Sequence, residues 1–104
     1  MLTPEDKAII AEYMGWGEYE DEYCRGMFPF DTIIHFDLND ASLCVEKMIK
    51  EVDWESFFYH ALGYTWNNMP GDEENSGMSF FIAWLFNPDN FFSAMASWLR
   101  SKNE

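Results

Sequence analysis

Asp37–Gly63 reads DLNDASLCVEKMIKEVDWESFFYHALG, and apolar residues recur in it at helical spacing twice over. Leu38, Ala41, Val45, Met48, Ile49 and Val52 follow one another at steps that place them on one face of a helix. Asp37 or Asn39 supplies the cap, since a short side-chain oxygen there accepts from the free N–H groups of the first turn. Asp40, Ser42, Glu46, Lys47, Lys50 and Glu51 fall on the opposite face, with Glu46 and Lys50 at a supportive four-residue spacing. Asp53 is the cap of a second helix, whose stripe is Trp54, Phe57, Phe58, Ala61 and Leu62. Gly63 stands where a left-handed residue would end it. Two helices joined so closely must bend sharply at Val52–Asp53, and their stripes need a shared third surface.

Working outward, the first helix is the best punctuated. Thr3 caps it, Pro4 sits at the first helical position where its missing N–H costs nothing, and Asp6 completes a capping box. Ile9, Ile10, Tyr13 and Met14 form its stripe, Gly15 ends it, and Trp16 folds back on Ile10 or Ala11. Gly17–Gly26, where Glu18, Glu20, Asp21 and Glu22 interleave with Tyr19 and Tyr23, has no period suited to a core and is expected to be an exposed loop. Asp31–Phe36 is rich in β-formers and reads as a strand. Its partner is either a segment within Tyr19–Phe30 or Tyr64–Asn67, or else it lies extended against the helices.

Beyond Gly63, Asn67–Gly77 is turn chemistry throughout. Met78–Phe86 is apolar almost without a break and poor in β-branched residues, which favours a buried helix capped by Ser76 over a strand. Asn87-Pro88-Asp89 is another cap followed by a first-turn proline. Phe91, Phe92, Met95, Trp98 and Leu99 make the stripe of the last helix, with Arg100 and Lys102 favourable at its C-terminal end. The expected architecture is mainly α: a single domain over residues 1–104, about five helices and at most a small strand element. An α+β sandwich is the alternative.

The 104 residues suffice for one self-supporting domain, and 48 % of them are apolar, a globular composition. No apolar run approaches 18 residues, so no membrane-spanning helix is expected. The opening Met-Leu-Thr-Pro-Glu-Asp lacks a basic region and an apolar signal core, which points to the cytoplasm. Cys24 and Cys44 are then expected to be free thiols.

Nineteen acids face six bases, for a formal net charge of −13 and a pI near 4.2. Such a surface repels nucleic acid and anionic bilayers, and attracts cations or a basic protein surface.

Catalytic patterns do not emerge. Cys24, His35, Cys44 and His60 lack the close pairs of a zinc site, and a Cys–His nucleophile pair would need contact that the sequence does not imply. There is no phosphate-binding loop, dinucleotide fingerprint or Gly-x-Ser-x-Gly. Asp72-Glu73-Glu74 lacks the alternating ligands and central glycine of a calcium loop. No cofactor and no enzymatic activity is expected. The exposed feature that stands out is Glu18–Tyr23, whose carboxylates are closely spaced and whose tyrosines offer rigid contact area. A row of acids can occupy a groove built for a duplex, which carries one charge per roughly 1.7 Å, and arginines grip carboxylates in two-pronged fashion.

Pro4–Trp16, with its Met-Gly-Trp helix end, resembles the opening of many small acidic phage and prophage proteins. Phe36–Ala41 with Val45–Met48, and Ala83–Pro88 with Phe91, Phe92, Trp98 and Leu99, are similar to further segments of them; some of that group carry an α-β-α sandwich. The resemblance implies a phage accessory protein acting in a bacterial cell. Together these readings give a non-enzymatic acidic protein that binds and inhibits a host nucleic-acid-binding defence protein through its basic surface, in the manner of an anti-CRISPR, an anti-restriction protein or a nucleic-acid mimic. The expected contact residues are Glu18, Tyr19, Glu20, Asp21, Glu22, Tyr23, Asp72, Glu73 and Glu74. The alternative is a structural or small-ligand-binding accessory protein, with acids for solubility and a pocket near Tyr64 and Trp66.

Overall fold

Thr3 Oγ1 accepts from the Asp6 N–H and the Asp6 carboxylate accepts from the Thr3 N–H, both at 3.1 Å, so the capping box read from the sequence starts helix α1 (Pro4–Met14). Gly15, left-handed at φ 73°, closes it, and the Trp16 N–H reaches back to the Ala11 carbonyl at 2.9 Å. The structure, a computed structural model, describes residues 2–19, 22–25, 32–68 and 78–102. After α1 come three short strands, β1 (Gly17–Tyr19), β2 (Glu22–Arg25) and β3 (Thr32–Ile33), and four more helices: α2 (Leu38–Lys50), α3 (Trp54–Asn68), α4 (Met78–Leu85) and α5 (Pro88–Lys102). The fold is mainly α with one small antiparallel sheet ordered β1-β2-β3, and the described residues build no sandwich.

The expectation of a loop over Gly17–Gly26 is corrected: β1 and β2 form an antiparallel hairpin. Alternation was hidden because both faces of so narrow a hairpin carry acids. The expected strand at Asp31–Phe36 is regular only over Thr32–Ile33 and pairs with β2, inside one of the two candidate partner segments. The Ile34 N–H still reaches the Tyr23 carbonyl at 2.8 Å. The chain then turns at Phe36, whose φ of 55° is unusual for an aromatic residue. The buried Asp40 carboxylate holds this corner by accepting from the N–H groups on either side of it, His35 at 2.9 Å and Asp37 at 3.4 Å. In return the Phe36 ring packs edge-on against Trp16, Tyr23 and Phe92. Asp40 is thus no part of a solvated face, as the spacing had suggested.

The core lies where α1 and α3 pack on α5, with α2 alongside. Phe91, Phe92, Met95, Trp98 and Leu99 are all buried, as their spacing requires, and Phe57 and Ala61 of α3 meet them fully enclosed. Two boundaries differ from expectation. Gly63 lies inside α3, which runs on to Asn68; with open space around it, its lack of a side chain marks no stop. Met78–Leu85 is helical as favoured, yet where its side chains are described it is not fully buried: Ile82 and Ala83 face solvent, as does Phe86 just beyond it. Its expected cap, Ser76, lies outside the described residues.

Helix α2 is rotated from its expected setting. Its buried line is Asp40, Ala41, Cys44 and Met48, whereas Leu38 is 51 % and Ile49 59 % exposed. At 100° per residue the shift is roughly 75°, because Cys44, absent from the expected stripe, lies at the centre of the buried face. Glu46 and Lys50, on the outer side, form no ion pair. The sharp bend at Val52–Asp53 is present, with Val52 left-handed at φ 59°. The Asp53 carboxylate accepts from Tyr13 Oη at 2.9 Å and Lys102 Nζ at 3.2 Å, tying the bend to α1 and α5.

Candidate functional site

The hairpin register decides how its acids are presented. Glu18 lies opposite Tyr23 and Tyr19 opposite Glu22. Opposed residues share a sheet face and successive ones alternate, so Glu18 and Glu22 fall on opposite faces instead of in a single row of acids. Glu18 and Glu22 are exposed. Tyr23 is half-buried against Phe36, and burial, with the Glu18 carboxylate as a lesser cause, raises its hydroxyl above the ordinary tyrosine value. Glu20, Asp21, Asp72, Glu73 and Glu74 lie outside the described residues, so the two acidic segments are not brought together by anything described.

What sequence spacing did not show is a division of labour among the acids. Asp6, Asp37, Asp40 and Asp53 all work inside the fold, in capping boxes or against Tyr13, Arg100 and Lys102. For Asp6, burial pushes the carboxyl up, but the Thr3 backbone N–H and the Arg100 guanidinium outweigh it and hold it below the usual range. The glutamates behave otherwise. Glu5, Glu12, Glu18, Glu22, Glu46, Glu51 and Glu55 are all exposed, and none forms an ion pair among the described residues.

The cations offer them little compensation. Lys7 lies over the Phe36 ring, Lys47 over Tyr13, and Lys102 over both Tyr13 and Trp98 at 5.0–5.6 Å. Arg100 is paired with Asp6. Arg25, Lys47 and Lys50 line one cleft with Met14, Trp16 and Leu43, where Glu46 and Glu51 also sit. Positive charge is gathered onto rings, one buried acid and this cleft. Only Lys102 over Trp98, one helical turn apart, carried a signal in the sequence; the other pairs are made across the chain.

The other polar feature is a groove of about 470 Å³ between α3 and α5, lined by Asp6, His60, Tyr64, Ser93, Ser97 and Arg100 among others, with His60 Nε2 2.9 Å from Ser97 Oγ. Tyr64 therefore lines a polar groove. No described group of three or more His, Cys, Asp and Glu side chains is placed to hold a metal. Cys24 and Cys44 are buried free thiols, and His35 is exposed. No helix among the described residues is long and apolar enough to cross a membrane. No protein-family model, curated protein or solved structure matches the chain.

Proposed function

We propose that this is a non-enzymatic acidic binding protein that docks on the basic, nucleic-acid-binding surface of a host protein and blocks it. The observation that carries the reading is the set of seven glutamates that are exposed and without an ion pair among the described residues, together with lysines folded back onto rings. Like charges repel, so such a surface costs the free fold some stability, which binding to a positive surface would relieve. The β1–β2 hairpin is the forward contact, a narrow blade with a carboxylate on each face, able to meet guanidinium groups on either side of a groove. The likeness of Pro4–Trp16 to small phage proteins gives the concrete form: an anti-CRISPR or anti-restriction factor acting in the bacterial cytoplasm.

The test is affinity capture from a bacterial lysate at low and high salt, with duplex DNA as competitor. The variant Glu18→Lys/Glu20→Lys/Asp21→Lys/Glu22→Lys serves as comparison. The expected result is capture of a DNA- or RNA-binding protein that salt weakens, that DNA displaces and that the variant loses through slower association. Capture unaffected by salt and by charge reversal would discard the reading.

A further inference from the structure

The rotation of α2 leaves an apolar strip outside the core. Leu38, Val45 and Ile49 run along one side of that helix, the first and last of them more than half exposed. Facing the strip's N-terminal half are Leu85 and Phe86 at the end of α4 and Phe91 of α5, enclosing a cleft of about 320 Å³ whose lining is apolar but for Ser42. Phe86 is 64 % exposed at its mouth. From Leu38 to Ile49 the strip is roughly 16 Å long at 1.5 Å per residue, the length of three turns of a partner helix.

The cleft at the strip's N-terminal half has acid beside it: Asp37 precedes Leu38, and Asp89 lies between Phe86 and Phe91 in the first turn of α5. Glu46 lines the separate cleft with Lys47 and Lys50. An apolar cleft flanked by these acids, on a chain of net charge −13, opposes a second copy of itself and suits a cationic amphipathic segment. We infer that the groove between α2 and the α4–α5 corner is the docking site for an amphipathic helix with basic flanks belonging to the partner. This rests on the reading of the protein as a binder of basic surfaces and adds where a helix of that partner would seat.

The probe is a synthetic 18-residue Leu/Lys amphipathic helix, titrated into the 15N-labelled full chain. Two controls accompany it: a Lys/Ser peptide of equal charge, and a Leu/Glu peptide of equal amphipathicity. Binding of the Leu/Lys peptide with shifts centred on Leu38, Val45, Ile49 and Phe86 is expected, weakened at least tenfold by Leu38→Ser or Phe86→Ser with helix content unchanged. Raising salt should also weaken it, and neither control should shift the strip. Shifts elsewhere, or indifference to both serine variants, overturn the groove while leaving the acidic-binder reading to the lysate test. Equal binding of the Leu/Glu peptide overturns the partner's basic character. Concentration-dependent dimers by sedimentation, interrupted by Phe86→Ser, would assign the groove to self-association and overturn the inference.

Discussion

Replacing Asp6 by Asn should separate the charge of this residue from its shape. Asp6 is the third helical residue of α1, buried, and it serves two partners at once: one oxygen accepts from the Thr3 N–H at 3.1 Å and the other pairs with Arg100. It therefore both starts α1 and fastens it to the end of α5, its principal packing partner. Asparagine keeps the acceptor but loses the charge. A hydrogen bond to a charged group contributes about 1 kcal/mol more than a neutral one. The Arg100 side chain is 47 % exposed, so solvent screening limits the pair to about 0.5 kcal/mol. The sum, about 1.5 kcal/mol, corresponds to a fall in melting temperature of roughly 6–10 °C for a chain of this size. The pH dependence supplies the check. The folded-state pKa lies below the ordinary aspartate value of 3.8, so the stabilisation is complete above that value and is lost as pH falls through the folded-state one. Thermal unfolding followed by circular dichroism should show the full gap between native chain and variant at pH 7 and 5, closing toward pH 2.5. A gap of the same size at both extremes, or one under 2 °C at pH 7, would refute the assignment.

Gly15→Ala should destabilise by about 1–2 kcal/mol in a denaturant titration; space around the added methyl is open, so the cost is that of the left-handed backbone alone. Val52→Asn should do the reverse, raising stability by about 1 kcal/mol, since Val52 is left-handed yet 88 % exposed and gives up little burial. The Cys44 thiol, pushed up to about 12 by burial and then by the Asp40 carboxylate, should resist iodoacetamide at pH 8 in the native protein and react once denaturant is added, as read by peptide mass mapping. Raising NaCl from about 20 to 300 mM, which shortens the screening length from roughly 20 to 6 Å, should raise the melting temperature. Repulsion among the unpaired glutamates is relieved, while only two ion pairs among the described residues stand to weaken.

Helix starts and stops were legible wherever a cap is a local chemical event. Thr3, Pro4 and Gly15, Asp37, and Asn87 with Pro88 all act within a turn of their own position. Legibility failed where distant partners decide. Nothing in Glu22-Tyr23-Cys24-Arg25 announces a strand, because its pairing with Thr32 and Ile33 and the stacking of Tyr23 on Phe36 are made across the chain. The same holds for α2: Leu38 and Ile49 are as apolar as any core residue, and only the packing of Ala41, Cys44 and Met48 against their neighbours leaves them outside. Of the candidate site, the exposure of Glu18 and Glu22 was legible. Their placement on opposite faces was not, since it depends on the hairpin register.

The division between aspartates and glutamates bears on whether the acidity has a use. Asp37 is the N-cap of α2, and Asp6 and Asp40 close the capping boxes of α1 and α2 from the third helical position. Nothing in the described structure asks for the glutamates. If they served only to keep molecules apart, they would be most useful around the exposed apolar strip. Glu18 and Glu22 are not there: they stand on a hairpin whose neighbouring side chains, Tyr23 and Cys24, are half-buried and buried. Acids on an edge strand prevent pairing with another chain, but one would suffice on so short an edge, and the sequence continues through Glu20 and Asp21 between them. Acid in excess of what the edge requires, on the same hairpin as Tyr23, is what the proposed docking on a positive surface would use.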